Sequence, residues 1–278
     1  MVSTPSIERR RRWLGEWIDV TRSAGLEIGP LDRPIVQRDD GVEVYYLDHL
    51  DTEGLHRKYR DHEGRVLDDI VPVDYPLGED RISEVVDREV DYVVASHVVE
   101  HVPDVIGWLL ELGRVLRPEG RVFLAVPDMR FTFDVERPLT SLGKLVEDHR
   151  REKTRPSLAD VLDQHAYHVR VDPAEVWKAR RPRRGWRSAP PAPEPPPRSF
   201  DLAKSLELAE RATHAYVDCH CSVFTCESFQ QLVSGLHALG LQPFAVEHVR
   251  EVEEPFNDFL CTLVKRPAPE GGGGHLPR

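Results

Sequence analysis

No stretch of this 278-residue sequence approaches the roughly 20 consecutive apolar residues of a membrane-spanning helix; even Val90 to Ala95 and Val122 to Val126 are short. Basic charge is scarce as well. With 37 Lys and Arg against 48 Asp and Glu, the net charge of -11 excludes a protein that wraps a nucleic-acid backbone and favours small or neutral partners. No apolar signal segment opens the chain, where Glu8 to Arg12 is heavily charged. The four cysteines, Cys219, Cys221, Cys226 and Cys261, fall in the last quarter. These absences imply a cytoplasmic protein with reduced thiols and no membrane role.

What is present is enough chain for one large α/β domain carrying an insertion. Residues 1–23 contain Trp13, Leu14, Trp17 and Ile18 at helical spacing behind four arginines, which predicts an amphipathic helix covering a sheet edge. From Gly25 the pattern changes to short apolar runs: Leu26 to Ile28, Val42 to Leu47, Ile70 to Val73, Asp91 to Ala95 and Arg121 to Val126. Helical stretches between several of them predict parallel strands buried on both faces. The stripe Trp108, Leu109, Leu112, Val115 and Leu116 is a helix stopped by the Arg117-Pro118-Glu119-Gly120 turn. Strand signals vanish over 136–215, an insertion that includes the proline-rich, arginine-flanked stretch Pro182 to Pro197. They resume in 216–266 with a helix over Glu227 to Leu239 and strands at Phe244 to Val249 and Asp258 to Val264. The tail 267–278, with four consecutive glycines, has nothing to bury and is expected to be disordered.

Open parallel sheets bind ligands beyond the carboxyl ends of their strands, so residues following each predicted strand are the candidates. They are Glu27-Ile28-Gly29-Pro30-Leu31 after the first, Asp48-His49 after the second, Asp74 after the third, and Ser96-His97 before Glu100-His101-Val102-Pro103-Asp104 after the fourth. A glycine such as Gly29 lets backbone pass close to a ligand, and an acid about 20 residues on, here Asp48, can accept ribose hydroxyls. With a single glycine and prolines at 30 and 34, the first loop lacks the Gly-x-Gly-x-x-Gly turn of a dinucleotide site, which argues against NAD.

On these residues the sequence resembles the class I S-adenosylmethionine-dependent methyltransferases, in particular the bacterial group that methylates small molecules and carries Glu-His-Val-Pro-Asp after its fourth strand. The likeness covers residues 24–128 and resumes through the last helix and strands. It implies a Rossmann-like, mostly parallel seven-stranded sheet with helices on both faces, residues 24–135 and 216–266 forming that domain, and 136–215 a helical and proline-rich lid. It also implies S-adenosyl-L-methionine as cofactor, with Glu27, Gly29 and Pro30 facing the methionine part, Asp48 and His49 the ribose, Asp74 the adenine, and Ser96 and His97 the sulfonium. Tyr46 to Leu50, Pro127 to Asp134 and Asp218 to Thr225 look like a subgroup tied to glycan or specialised-metabolite pathways.

Methyl transfer is an in-line displacement, for which the protein aligns donor and acceptor and excludes water; a hydroxyl acceptor must also lose a proton. His101, Asp128, His165 and His220 are the candidate bases. His165 pairs with His168 on a predicted helix, and Asp218 with His220 on one face of a predicted strand. Zinc ligand types occur at His214, Cys219, His220, Cys221 and Cys226, but Cys-x-Cys is not the Cys-x-x-Cys of a zinc knuckle, so no metal is assigned. The expectation is transfer to a hydroxyl of a sugar or specialised metabolite, with a homodimer possible. N-methylation, a non-methylating cyclase and a non-catalytic binding protein are the alternatives.

Overall fold

The structure, a computed structural model, describes residues 4–39, 41–62, 64–180 and 201–267. The stretch Pro182 to Pro197 and the glycine-rich tail lie outside the described residues. Seven strands form one sheet: β1 (Gly25–Ile28), β2 (Val44–Asp48), β3 (Tyr75–Pro76), β4 (Val90–Ser96), β5 (Leu116–Pro127), β6 (Phe244–Arg250) and β7 (Asp258–Lys265). Their order is β3-β2-β1-β4-β5-β7-β6, with every neighbour parallel except β7, which runs antiparallel to β5 and β6. Succession turns back at the β1/β4 boundary, the place where open sheets of this kind form their ligand crevice beyond the strand ends.

Both faces are apolar, as a parallel sheet requires. Along β4, Val93 and Ala95 face one core while Tyr92 and Val94 face the other. The first core is covered by α4 (Val105–Val115), whose Ile106, Leu109 and Leu112 are buried, and by α9 (Cys226–Ala238) through Phe229, Val233 and Leu236. Asp104 starts α4 by accepting the Gly107 N–H, and α9 ends before Gly240, which takes the left-handed region (φ 68°).

The second core is covered by α1 (Thr4–Gly15). Trp13 and Leu14 pack with Val44 and Tyr46 of β2, Tyr92 and Val94 of β4 and Phe123 of β5, so the predicted edge helix lies across a face of the sheet instead. The alternating inward side chains of these strands form an apolar surface, and burying each large one contributes about 1.5–3 kcal/mol. Trp17, just past the helix, stacks on His248 with ring centroids 3.6 Å apart.

Two local predictions are corrected. The run Ile70 to Val73 is not a strand; the third strand is Tyr75–Pro76, pairing with Leu47 and Asp48, so Asp74 precedes it instead of following it. The Arg117 to Gly120 turn lies inside β5 as a bulge: Val90 pairs with Leu116 and Tyr92 with Arg121, and the turn takes up the extra residues.

Between β5 and α9 the chain forms α5 (Leu142–Arg150), α6 (Leu158–Ala166), α7 (Pro173–Arg180) and α8 (Leu202–Arg211), without a strand among the described residues. Val161 of α6 meets Ala209 and Ala212, and Cys219 and Cys221 close this small core. All four cysteines are buried free thiols.

Candidate active site

At the crevice, Gly29 follows β1 with φ 66° and donates to the Leu47 carbonyl at 2.9 Å. The left-handed backbone explains the glycine, since a side chain there would be strained. Leu31 holds φ 49°, and Pro30 is buried, so the proline loop is rigid. Glu27 does not face the crevice. Its two carboxylate oxygens accept the N–H groups of Ile35 and Val36 at 2.7 and 2.8 Å, folding the loop back beside the sheet. Burial raises its carboxyl to about 7 against the pull of those two donors.

Asp48 ends β2 and is 4% exposed. Its Oδ1 accepts the His49 N–H at 2.7 Å and meets the His49 Nδ1 at 2.5 Å, while the His49 Nε2 is 2.8 Å from the Lys58 ammonium on α2 (Thr52–Tyr59). The Asp48 Oδ2 is buried without a hydrogen-bond partner. A carboxylate oxygen left so is costly unless a ligand donates to it.

Asp74 offers no such oxygen to the crevice. It sits level with Tyr46, two residues short of Asp48, where its Oδ2 accepts the Tyr46 N–H and pairs with Arg38. It precedes β3, and its Oδ2 is engaged by the backbone of β2 and by Arg38.

Ser96 ends β4, and His97 turns the chain with φ 54° while donating to the Ala125 carbonyl. The His97 Nε2 lies 3.0 Å from Arg10 and its Nδ1 3.5 Å from Glu100. Burial, against the Glu100 charge, lowers its pKa. Behind it Arg9 and Arg10 of α1 converge on Asp258 at 2.6 and 3.1 Å, all three buried. These arginines, which the sequence presents as plain charge, fasten the covering helix to the first residue of β7.

A second cluster, beyond β4, is assembled from distant segments. A 3-10 turn over Val99–His101 places Glu100 inward, 1% exposed, with both carboxylate oxygens unpartnered. Its Oε1 is 4.0 Å from the His101 Nε2. The His101 Nδ1 is 3.0 Å from Asp218. Burial would lower the His101 pKa, but the Asp218 hydrogen bond and the charges of Glu100 and Asp218 raise it to about 9. His220 stands edge-on to His101, centroids 4.7 Å apart, and its Nδ1 is 2.5 Å from Asp134. Burial would push the Asp134 carboxyl up, but His220 and Arg137 hold it below the usual carboxylate range. Arg137 pairs with Asp134 at 2.8 Å and donates to the His220 carbonyl. Gln164 of α6 accepts the His220 N–H at 2.6 Å.

His101 and His220 therefore come together, and Asp218 joins them, although residues 217–222 form no strand and Asp218 and His220 turn to different partners. Asp128 does not join. It is fully buried, bidentate to Arg130 at 2.6 and 2.7 Å, and Oδ2 also accepts the Cys226 N–H at the start of α9. Both of its oxygens are occupied, which makes it a structural clamp. His165 lies on α6, its pKa lowered by burial and by His168 and Arg137. The predicted His165–His168 helical pair does not form, since α6 ends at Ala166 and His168 stacks on Phe133. Asp134 and Arg137 were not among the candidates, and Glu100 appeared only within its run with no role assigned. Glu100 stood beside His101 in the quoted signature and could have been found from that adjacency.

Residues 15–242 match the family model described as a methyltransferase domain. No curated protein matches the sequence. Similar solved structures include the mitomycin 7-O-methyltransferase MmcR, at 12% identity and TM-score 0.42, with 94% of this chain and 54% of that one covered. The chain thus spans about half the length of that protein. A Rhodobacter sphaeroides protein described as a Zn-dependent alcohol dehydrogenase aligns at 16% identity and TM-score 0.47, covering 93% and 90%. The magnesium protoporphyrin IX methyltransferase ChlM of Synechocystis PCC 6803 with bound SAH aligns at 10% and 0.39, covering 94% and 82%.

Proposed function

The chain belongs to the methyltransferase-domain family, an S-adenosylmethionine-dependent enzyme on a Rossmann-like fold, and we propose that its acceptor is a hydroxyl of a small molecule such as a sugar or specialised metabolite. The cofactor fits the residues present. The unpartnered Asp48 Oδ2 suits the ribose hydroxyls, Gly29 admits a ligand close to its backbone, and Ser96 and His97 border the reacting end. When bound, the cofactor supplies an electrophilic methyl on a sulfonium.

One observation carries the choice of oxygen over nitrogen: the cluster of Glu100, His101 and His220 beyond β4. A neutral amine attacks unaided, whereas a hydroxyl gains from a group that accepts its proton. Glu100 provides two buried oxygens with nothing donating to them, and His220 stands beside it next to His101, whose raised pKa of about 9 makes it a cationic neighbour near neutral pH and not the proton acceptor. Asp134 and Asp218 fix the imidazoles through their Nδ1 atoms, so the reactive edges are held before any acceptor arrives. His165 on α6 is the candidate for an acceptor contact from the insertion, whose described helices α5 to α8 we read as the lid.

The test is an acceptor panel of glycosides, aryl alcohols and amines incubated with S-adenosylmethionine, with products assigned by NMR. O-methyl products that diminish in His220→Asn are expected. Methylation confined to amines would overturn the hydroxyl reading.

A further inference from the structure

We propose that Glu100, His101 and His220 bind one divalent transition-metal ion, whose open positions take the oxygen of the acceptor. The metal site stands on its own geometry, while the acceptor half rests on the hydroxyl reading above. One ligand atom from each of the three side chains lies within 4.8 Å of the others. Ligand atoms around a small ion bound at about 2 Å stand some 3–3.5 Å apart, so rotations of about an ångström would close the set. Two imidazoles and one carboxylate are the donor types that hold a first-row ion with vacant positions, in preference to the all-oxygen sets of magnesium or calcium.

Two further features point to a ligand at this place. Glu100 is 1% exposed, and neither of its oxygens has a hydrogen-bond partner. A cation in the cluster would remove that cost. Each imidazole, moreover, already has its Nδ1 against a carboxylate, Asp218 for His101 and Asp134 for His220, leaving the Nε2 atoms for the ion. A carboxylate behind a histidine is the usual outer support of a metal ligand, fixing the tautomer and raising the basicity of the ring. The spacing of the cysteines argued against zinc from sequence; this site uses none of them.

The experiment titrates Co2+ into tag-free, chelator-treated full-length protein by calorimetry and visible absorption, with S-adenosylhomocysteine binding as the measure of folding. Saturable binding of one Co2+ with ligand-field bands is expected. His101→Ala and His220→Ala should each weaken it by more than about 100-fold, and Asp218→Asn by about 10-fold, as for an outer support. Absence of Co2+ binding by protein that binds S-adenosylhomocysteine would overturn the site, as would undiminished Co2+ binding in the histidine variants. Should a histidine variant fail to fold, the half-exposed Asp218→Asn decides by the same criterion. Co2+ held by these residues in an enzyme that methylates only nitrogen would leave the metal site standing and remove the acceptor half.

Discussion

Replacing Asp48 by Asn isolates the interaction on which the cofactor placement depends. Of its two oxygens, Oδ1 is already occupied by the N–H and ring of His49, and Asn keeps an oxygen there. Oδ2, buried and unpartnered, becomes an amide that donates where the carboxylate accepted. At least one hydrogen bond from a ribose hydroxyl to an ionised acceptor is lost, about 1.5–3 kcal/mol. At about 1.4 kcal/mol per tenfold, the affinity for S-adenosylhomocysteine should fall roughly 10- to 150-fold. The free variant should meanwhile be no less stable than the native chain to within about 1 kcal/mol, because a buried charge with an unsatisfied oxygen has been neutralised. Calorimetry against S-adenosylhomocysteine, with denaturant melts of both free proteins, reads both quantities. Affinity within about threefold of native, in a folded variant, would refute the reasoning: the ribose would not lie on Asp48, and the cofactor would have to be placed elsewhere along the strand ends.

Asp258→Asn should destabilise the protein by about 3–5 kcal/mol, because Arg9 and Arg10 would stay buried without their anion. Urea denaturation measures it, and a loss under about 1 kcal/mol would mean that the arginines reach water. Glu27 gives a pH dependence. Its folded carboxyl is raised by burial to about 7, above the ordinary value of 4.5, so its contribution is full below about pH 4.5 and is lost as pH rises through 7. Between pH 5 and 7.5 the loss is about 2 kcal/mol. Glu27→Gln should lack that decline in denaturation at the two pH values; an identical slope in both proteins would show that Glu27 is ionised throughout.

How much of this could be read from the sequence follows from how far apart the partners are. Most of the strands and the helix that carries Trp108 to Val115 announce themselves by short-period patterning, which needs only neighbours along the chain. Gly29 and Asp48 are legible for a related reason: strand ends in an open sheet share one edge, so position after a strand already implies position at the crevice. The same rule misplaced Asp74, because the apolar run Ile70 to Val73 looks like a strand but the pairing with Leu47 and Asp48 begins only at Tyr75. Edge position alone also said nothing of the partners of Glu27 and Asp128, whose oxygens are taken by backbone N–H groups and an arginine that no spacing announces. The acceptor side was least legible. His101 meets Asp218 across 117 positions and His220 meets Asp134 across 86, contacts made only when the segment after α8 returns over the strand ends. Histidines on those segments were visible as types, but the carboxylate behind each ring, which decides whether a histidine is a surface residue or an oriented ligand, depends on that return. On the proposed reading this division follows the chemistry: the cofactor would use the sheet edge that the strands build, and acceptor selection the insertion and the return segment. Changes confined to 136–215 should therefore alter which acceptor is methylated before they alter the affinity for S-adenosylhomocysteine.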